Sequence, residues 1–246
     1  IVVLPSLSSY NRKRFVERGV SFIVPGNQMY LAPLGVDFRE HNRRSRPDVT
    51  TVQPATQCTI IALLSRRLPE NEYTPSDIAE ELGYSHMTLT RVFRELESVS
   101  FGDQLLSGRT RILRLSDVNR HELWSHVLPH LSTPVKRTET VFFPDGFEPD
   151  LLFSGISALA LHSDLSEPNR KTVAVDDNQW RYLKKQNETK EVPATEEAAT
   201  SVEAWKYRPL TWGKTVDPLS LYLSLRDSPD ERVQNALDLM LERFPW

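Results

Sequence analysis

The chain has one cysteine in 246 residues, Cys58. An intramolecular disulfide is therefore excluded, and with it a small disulfide-stapled scaffold. Cys58 falls on the apolar stripe of an expected helix, so a buried core thiol is expected there. No apolar run approaches the ~20 residues that a membrane-spanning helix needs, and no membrane partner is expected. An excess of one charge is also lacking. Thirty Lys and Arg face 33 Asp and Glu, for a formal net charge of −3. That balance does not advertise a polyanionic partner, so any nucleic-acid affinity has to come from where the cations sit. The chain opens on a strand-like IVVLP with no Met and no signal-peptide pattern. Upstream residues are expected to be missing, and a reducing cytoplasmic compartment is the expectation.

Catalytic patterns are equally thin. Three histidines cluster at 121, 126 and 130. HELWSH is one residue too long for the HExxH arrangement, in which both imidazoles share a helical face, and Pro129 puts His130 off the helix. The best candidate for an enzyme site is Ser154-Gly155 with His162, Ser163 and Asp164. A nucleotidyltransferase would hold phosphate on a Gly-Ser turn and Mg²⁺ on two strand carboxylates one residue apart. Here the order is Ser-Gly, and Ser166 stands where a partner for Asp164 should be. Asp176 and Asp177 are adjacent, so on a strand they point to opposite faces. No nucleophile elbow is present. The expectation is no catalytic residue, no metal, no cofactor and no enzymatic activity.

What is present is a pair of helices around a tight turn, residues 74–99, TPSDIAEELGYSHMTLTRVFRELESV. Thr74 can cap the first helix, and Pro75 at its first position costs no hydrogen bond. Ile78, Ala79 and Leu82 form its apolar face, and Gly83 ends it where a positive φ is tolerated. Ser85 caps the second helix, whose buried stripe is Leu89, Val92, Phe93 and Leu96. This is the patterning of a helix-turn-helix. An apolar helix over 55–68 precedes it. Two short strands, at 105–106 and 111–115, follow around Ser107-Gly108. Helix, helix, turn, helix and hairpin predict a winged helix, and with the phrase GRTRILRLS the segment 54–116 resembles the MarR-like winged-helix regulators.

That segment carries seven arginines and eight acids. The acids gather on the first two helices and the arginines on the recognition helix and wing. The expected DNA-reading residues are Ser85, His86, Thr88, Thr90, Arg91 and Arg94 on the recognition helix, with Arg109 and Arg111 on the wing. The alternative is a protein-interaction module that keeps the fold and no longer binds DNA. Residues 38–53, FREHNRRSRPDVTTVQ, are expected to be a linker. Its Arg43, Arg44 and Arg46 are either solvated or a backbone-contacting arm.

The expected class is α+β. Residues 1–37 read as a partial α/β segment, with strands at 1–4, 21–24 and 29–31 and a helix over 8–19. The winged helix-turn-helix domain spans 54–134, and a second α/β domain spans 135–246. Within it, 187–204 is rich in Glu, Thr and Ala and reads as a mobile loop. A helix is expected to start near Ser228 and to bury Val233, Ala236, Leu237, Met240, Leu241 and Phe244. Three stretches of this domain, FSGISALALHSDLSEP, TVAVDDNQW and VDPLSLYLSLRDSPDERVQNAL, resemble the C-terminal region of AbiEi-type antitoxins. The matching positions are Ser154, Ser157, Ala158, Leu159, His162, Val173 and Asp217-Pro218. Leu219-Ser220-Leu221 departs from the family's usual Glu-Arg-Thr, and residues 1–50 lie outside its plan. The resemblance implies a bacterial repressor, the antitoxin of a toxin–antitoxin or phage-defence operon. Its partners would be double-stranded promoter DNA, a nucleotidyltransferase-like toxin and a second copy of the chain.

Overall fold

The computed structural model describes residues 1–4, 14–25, 28–39, 51–67, 72–115, 119–144, 151–186, 189–193, 196 and 199–246. The chain is α+β and divides into two compact units, Ile1–Val49 and Thr50–Trp246. The expected arm residues Arg43, Arg44 and Arg46 lie outside the described residues.

The first unit is a four-stranded sheet in the order β1-β2-β3-β4. β1 (Val2–Val3) runs parallel to β2 (Phe22–Val24). β3 (Gln28–Leu31) and β4 (Val36–Arg39) continue it antiparallel. The sheet thus runs beyond residue 37, into what the sequence suggests is linker. Phe22 and Val24 are buried, and Phe22 packs its ring 5.8 Å from Phe15 and 5.9 Å from Tyr30.

The second unit begins with α1 (Pro54–Leu64), which is buried nearly all round. A short β5 (Glu72–Tyr73) precedes α2 (Pro75–Leu82) and α3 (His86–Ser98). The hairpin β6 (Asp103–Ser107) and β7 (Thr110–Arg114) follows, and β5 pairs with β7 to make a three-stranded sheet. α4 (Arg120–Val127) leads into β8 (Val135–Phe142). Then come β9 (Leu152–Phe153), α5 (Gly155–His162), β10 (Thr172–Asp176) and α6 (Asp177–Gln186). The chain closes with β11 (Lys190–Glu191), β12 (Thr200–Trp205), β13 (Thr211–Trp212), β14 (Thr215–Val216), α7 (Pro218–Leu225) and α8 (Glu231–Glu242).

Strands β8 to β14 form one seven-stranded sheet in the order β11-β8-β12-β10-β9-β14-β13. β10 and β12 are parallel neighbours near its centre. Both faces of the sheet are covered. Val173 and Val175 of β10 join Val202, Ala204 and Trp180 in a small core under α6. Ala174 faces the other way, into the large core, as the period of two along a strand requires.

Two expectations are corrected here. Residues 200–204, expected inside a mobile loop, belong with Trp205 to the interior strand β12, and four of its six side chains are buried. Composition misled because Glu203, which reads as a solvated acid, is an interior group. The boundary expected at 134/135 is no gap in packing either. One core runs from Val52 to Phe244 and takes side chains from both of its sides. Gln57 of α1 donates to Ser132 O at 2.7 Å and to the Tyr207 hydroxyl at 3.3 Å. Among the described residues, no helix is long and apolar enough to cross a membrane.

Candidate functional site

The strongest candidate surface is built by α2, α3 and the β6–β7 hairpin. Thr74 begins α2 with a reciprocal cap: its hydroxyl accepts from Asp77 N, and Asp77 accepts from Thr74 N at 2.7 Å. Two otherwise unpaired helix donors are thereby satisfied. Gly83 ends α2 at φ +69°, a conformation that costs other residues about 1 kcal/mol or more. Ser85 begins α3 by accepting from Thr88 N at 3.2 Å.

α3 is amphipathic in the expected register. Leu89, Val92, Phe93 and Leu96 are buried. Met87, Thr90, Arg91 and Arg94 are exposed on the opposite face, at the i, i+3, i+4, i+7 spacing that makes one helical face. Glu95 holds α3 against α1. Its Oε2 accepts from Gln53 N at 2.9 Å and from Thr56 Oγ1 at 2.6 Å, at the start of α1. That start has no side-chain cap of its own, so Glu95 supplies acceptors that a helix N-terminus needs. This positioning role was not legible as such. Its one trace in the sequence is Gln53, which is not a capping residue, just before the helix.

The structure separates the expected DNA-reading residues into two groups. Ser85, Thr88 and Thr90 serve the helix itself: Ser85 Oγ lies 3.0 Å from Thr88 Oγ1, and Thr90 Oγ1 donates to His86 O at 2.9 Å. His86, Arg91 and Arg94 are exposed on α3, and Arg109 and Arg111 on the hairpin. Among the described residues these four arginines have no ion-pair partner. Arg114 differs, because its guanidinium pairs with Glu72 across β5 and β7 at 2.6 Å. Two exposed apolar side chains went unnoticed in the sequence, Met87 on α3 at 70% exposure and Leu106 on β6 at 75%.

Several of the residues weighed for catalysis are engaged elsewhere. His162 Nε2 lies 2.9 Å from Thr215 Oγ1, and burial lowers its pKa. Ser163 Oγ donates to Leu159 O. The Ser154-Gly155 turn is filled from inside: Glu203 Oε1 stands 3.5 Å from where a Cβ on Gly155 would lie. Burial raises the pKa of Glu203, whose other oxygen accepts from Trp205 Nε1 at 3.1 Å. Asp176 caps α6 by accepting from Asn178 N at 2.9 Å and Gln179 N at 3.1 Å. Asp177 pairs with Lys136 at 2.7 Å, with Arg181 at 2.8 Å and with Arg137, which hold it below the usual carboxylate range.

No family model, curated protein or solved structure matches the chain. The arrangement itself is what bears on function. It offers two cationic side chains on a capped helix and two more on a following hairpin. Such a surface can meet an anionic polymer at several points. Among the described residues, no group of three or more His, Cys, Asp or Glu could hold a metal ion.

Proposed function

We propose that the chain is a DNA-binding transcriptional regulator with a winged helix-turn-helix. In this reading α3 is the recognition helix and its N-terminal half enters a major groove. Arg91 and Arg94 contact base edges, with Arg bidentate to guanine the commonest specific contact. Arg109 and Arg111 on the wing hold neighbouring phosphates. Arg43, Arg44 and Arg46 extend the backbone contacts as an arm. The observation that carries the reading is the set of four arginines, exposed and without ion pairs among the described residues, on α3 and the hairpin after it. We assign the chain no catalytic role and no cofactor. For an autorepressor of a toxin–antitoxin or phage-defence operon, with a nucleotidyltransferase-like toxin as partner and a homodimer on the operator, the support is the sequence resemblance of 151–246.

The second reading is a protein-interaction module. What favours it is the exposure of two large apolar side chains, Met87 on α3 and Leu106 on the following hairpin.

Fluorescence anisotropy of the chain with the DNA upstream of its own gene, beside scrambled DNA, at two salt concentrations, decides between them. Tighter binding to the upstream DNA, weakening with salt, is expected. The double variant Arg91→Ala, Arg94→Ala should lose the preference for that DNA while keeping its helical circular dichroism. Arg109→Ala with Arg111→Ala should weaken binding to both DNAs and flatten the salt slope by about 2, since each phosphate contact contributes about 0.9. Equal binding of both DNAs by the unaltered chain would overturn the regulator reading in favour of the interaction module.

A further inference from the structure

Two adjoining cavities lie at one end of the seven-stranded sheet, of about 720 and 680 Å³. Both are lined by Gln179 and Arg208, so together they make one groove. The groove lies where the parallel strands β10 and β12 end, at Asp176 and Trp205. In α/β sheets, loops at the carboxyl ends of parallel strands are the usual place for a ligand. Each cavity also falls in the size range of small-molecule sites.

The lining has two chemical ends. Lys206 and Arg208 line one cavity, beside Asn178 and the turn residue Tyr84. Lys214 lines the other, with Leu151, Phe153 and Pro209 as its apolar wall. Among the described residues lining the groove, Asp176 is the only acid, and its carboxylate caps α6. Arg208 and Lys214 are exposed, and their side chains have no ion-pair or hydrogen-bond partner among the described residues. Lys206 Nζ donates to Thr133 O at 2.7 Å, which leaves Arg208 and Lys214 as the uncommitted cations beside one committed acid, in a chain whose net charge is −3. A guanidinium or ammonium free to form charge-assisted hydrogen bonds favours a phosphoryl group. An apolar wall with an aromatic ring favours a flat apolar body attached to it.

We propose that this groove binds a nucleotide, with the phosphate at Arg208 and Lys214 and the base against the Leu151–Phe153–Pro209 wall. Gln179, which lines both cavities, supplies an amide that can pair with a base edge. The site is distinct from the arginine face of α3 and does not depend on that face binding DNA.

Isothermal titration calorimetry of the full chain tests this. The probes are AMP, GMP, CMP and UMP with their triphosphates, and adenosine and inorganic phosphate as the two halves of the ligand. Saturable binding of at least one nucleotide is expected, with adenosine and phosphate each at least about tenfold weaker. Arg208→Ala and Lys214→Ala should each weaken that nucleotide by about tenfold. Both side chains are exposed, and neither has a partner among the described residues, so both variants should keep the circular dichroism of the unaltered chain. Arg109→Ala, on the hairpin, should leave nucleotide affinity unchanged. No saturable nucleotide binding would overturn the proposal. So would phosphate alone binding as tightly as the nucleotide, or affinity unmoved in both groove variants.

Discussion

At the scale of single residues, the least expected group is Asp217. It is fully buried, and Oδ1 accepts from Ser220 N at 2.7 Å to cap α7. Among the described residues Oδ2 has no hydrogen-bond partner, and burial pushes the pKa from 3.8 up to about 6. The folded state therefore holds this proton more tightly than the unfolded chain does. Its stabilising effect is complete below about pH 4 and is lost as pH rises through about 6. Asp217→Asn keeps a good capping oxygen and removes the titration. Between pH 5 and pH 7 the unaltered chain should lose about 1 kcal/mol relative to that variant, measured by chemical denaturation at both pH values. Glu203 is another buried acid, with no cationic partner among the described residues, and gives a structural test. Glu203→Ala leaves Trp205 Nε1 without its partner in the interior, which should cost about 1–3 kcal/mol. Glu203→Gln keeps an acceptor and should stay within about 1 kcal/mol of the unaltered chain in the same measurement. Neither burial was legible in the sequence, because an acid is buried only by the strands around it. Cys58 was legible: its place on an apolar helix stripe is enough, and it is 2% exposed.

At the scale of elements, what the sequence made plain is what local chemistry decides. The caps Thr74 and Ser85, the stop at Gly83 and the stripe of α3 each follow from residues within one or two turns. The hairpin was also legible, as β6 and β7 meet through Ser107↔Thr110. The elements that escaped notice are those whose existence depends on a distant partner. β5 is two residues long and exists by pairing with β7. β12 lies between β8 and β10, about sixty and thirty residues earlier in the chain. Gly102, between α3 and β6, is a positional constraint of the same non-local kind. Its φ is +71°, and an added Cβ would meet Leu115 Cδ2 at 2.6 Å and Arg114 O at 2.8 Å. At Gly83 an added Cβ would meet nothing within 4 Å. Gly83→Ala should therefore cost about 1 kcal/mol for backbone conformation alone. Gly102→Ala should cost clearly more, because a backbone carbonyl must also shift. Urea denaturation of the two variants compares them, and equal costs would mean that the α3–β6 junction relaxes freely.

At the scale of the molecule, the unit Thr50–Trp246 is held together across the line at which sequence patterning suggests two domains. Trp124 of α4 meets Tyr222 of α7 at 5.8 Å and Trp246 at 6.3 Å between ring centroids. Arg67 reaches Thr211 O at 2.5 Å, and Arg226 reaches Leu131 O at 2.9 Å. The patterning suggests two domains because each half carries its own periodic helices and strands, while the side chains that join them are scattered singly along the chain. The C-terminal aromatics are a case in point. Trp205 and Phe244 are buried, and Trp212, Tyr222 and Trp246 pack against the same core. These rings give the helical half part of its interior. A fragment of residues 54–134 would expose Trp124, Leu123 and Val127 to water, at roughly 1.5–3 kcal/mol for each large side chain, against a total stability of about 5–15 kcal/mol for a typical domain. Residues 50–246 should unfold in one transition with equal calorimetric and van't Hoff enthalpies, and the 54–134 fragment should lack a cooperative melt by circular dichroism. A fragment that melts cooperatively by itself would mean that the shared core joins two units each able to stand alone.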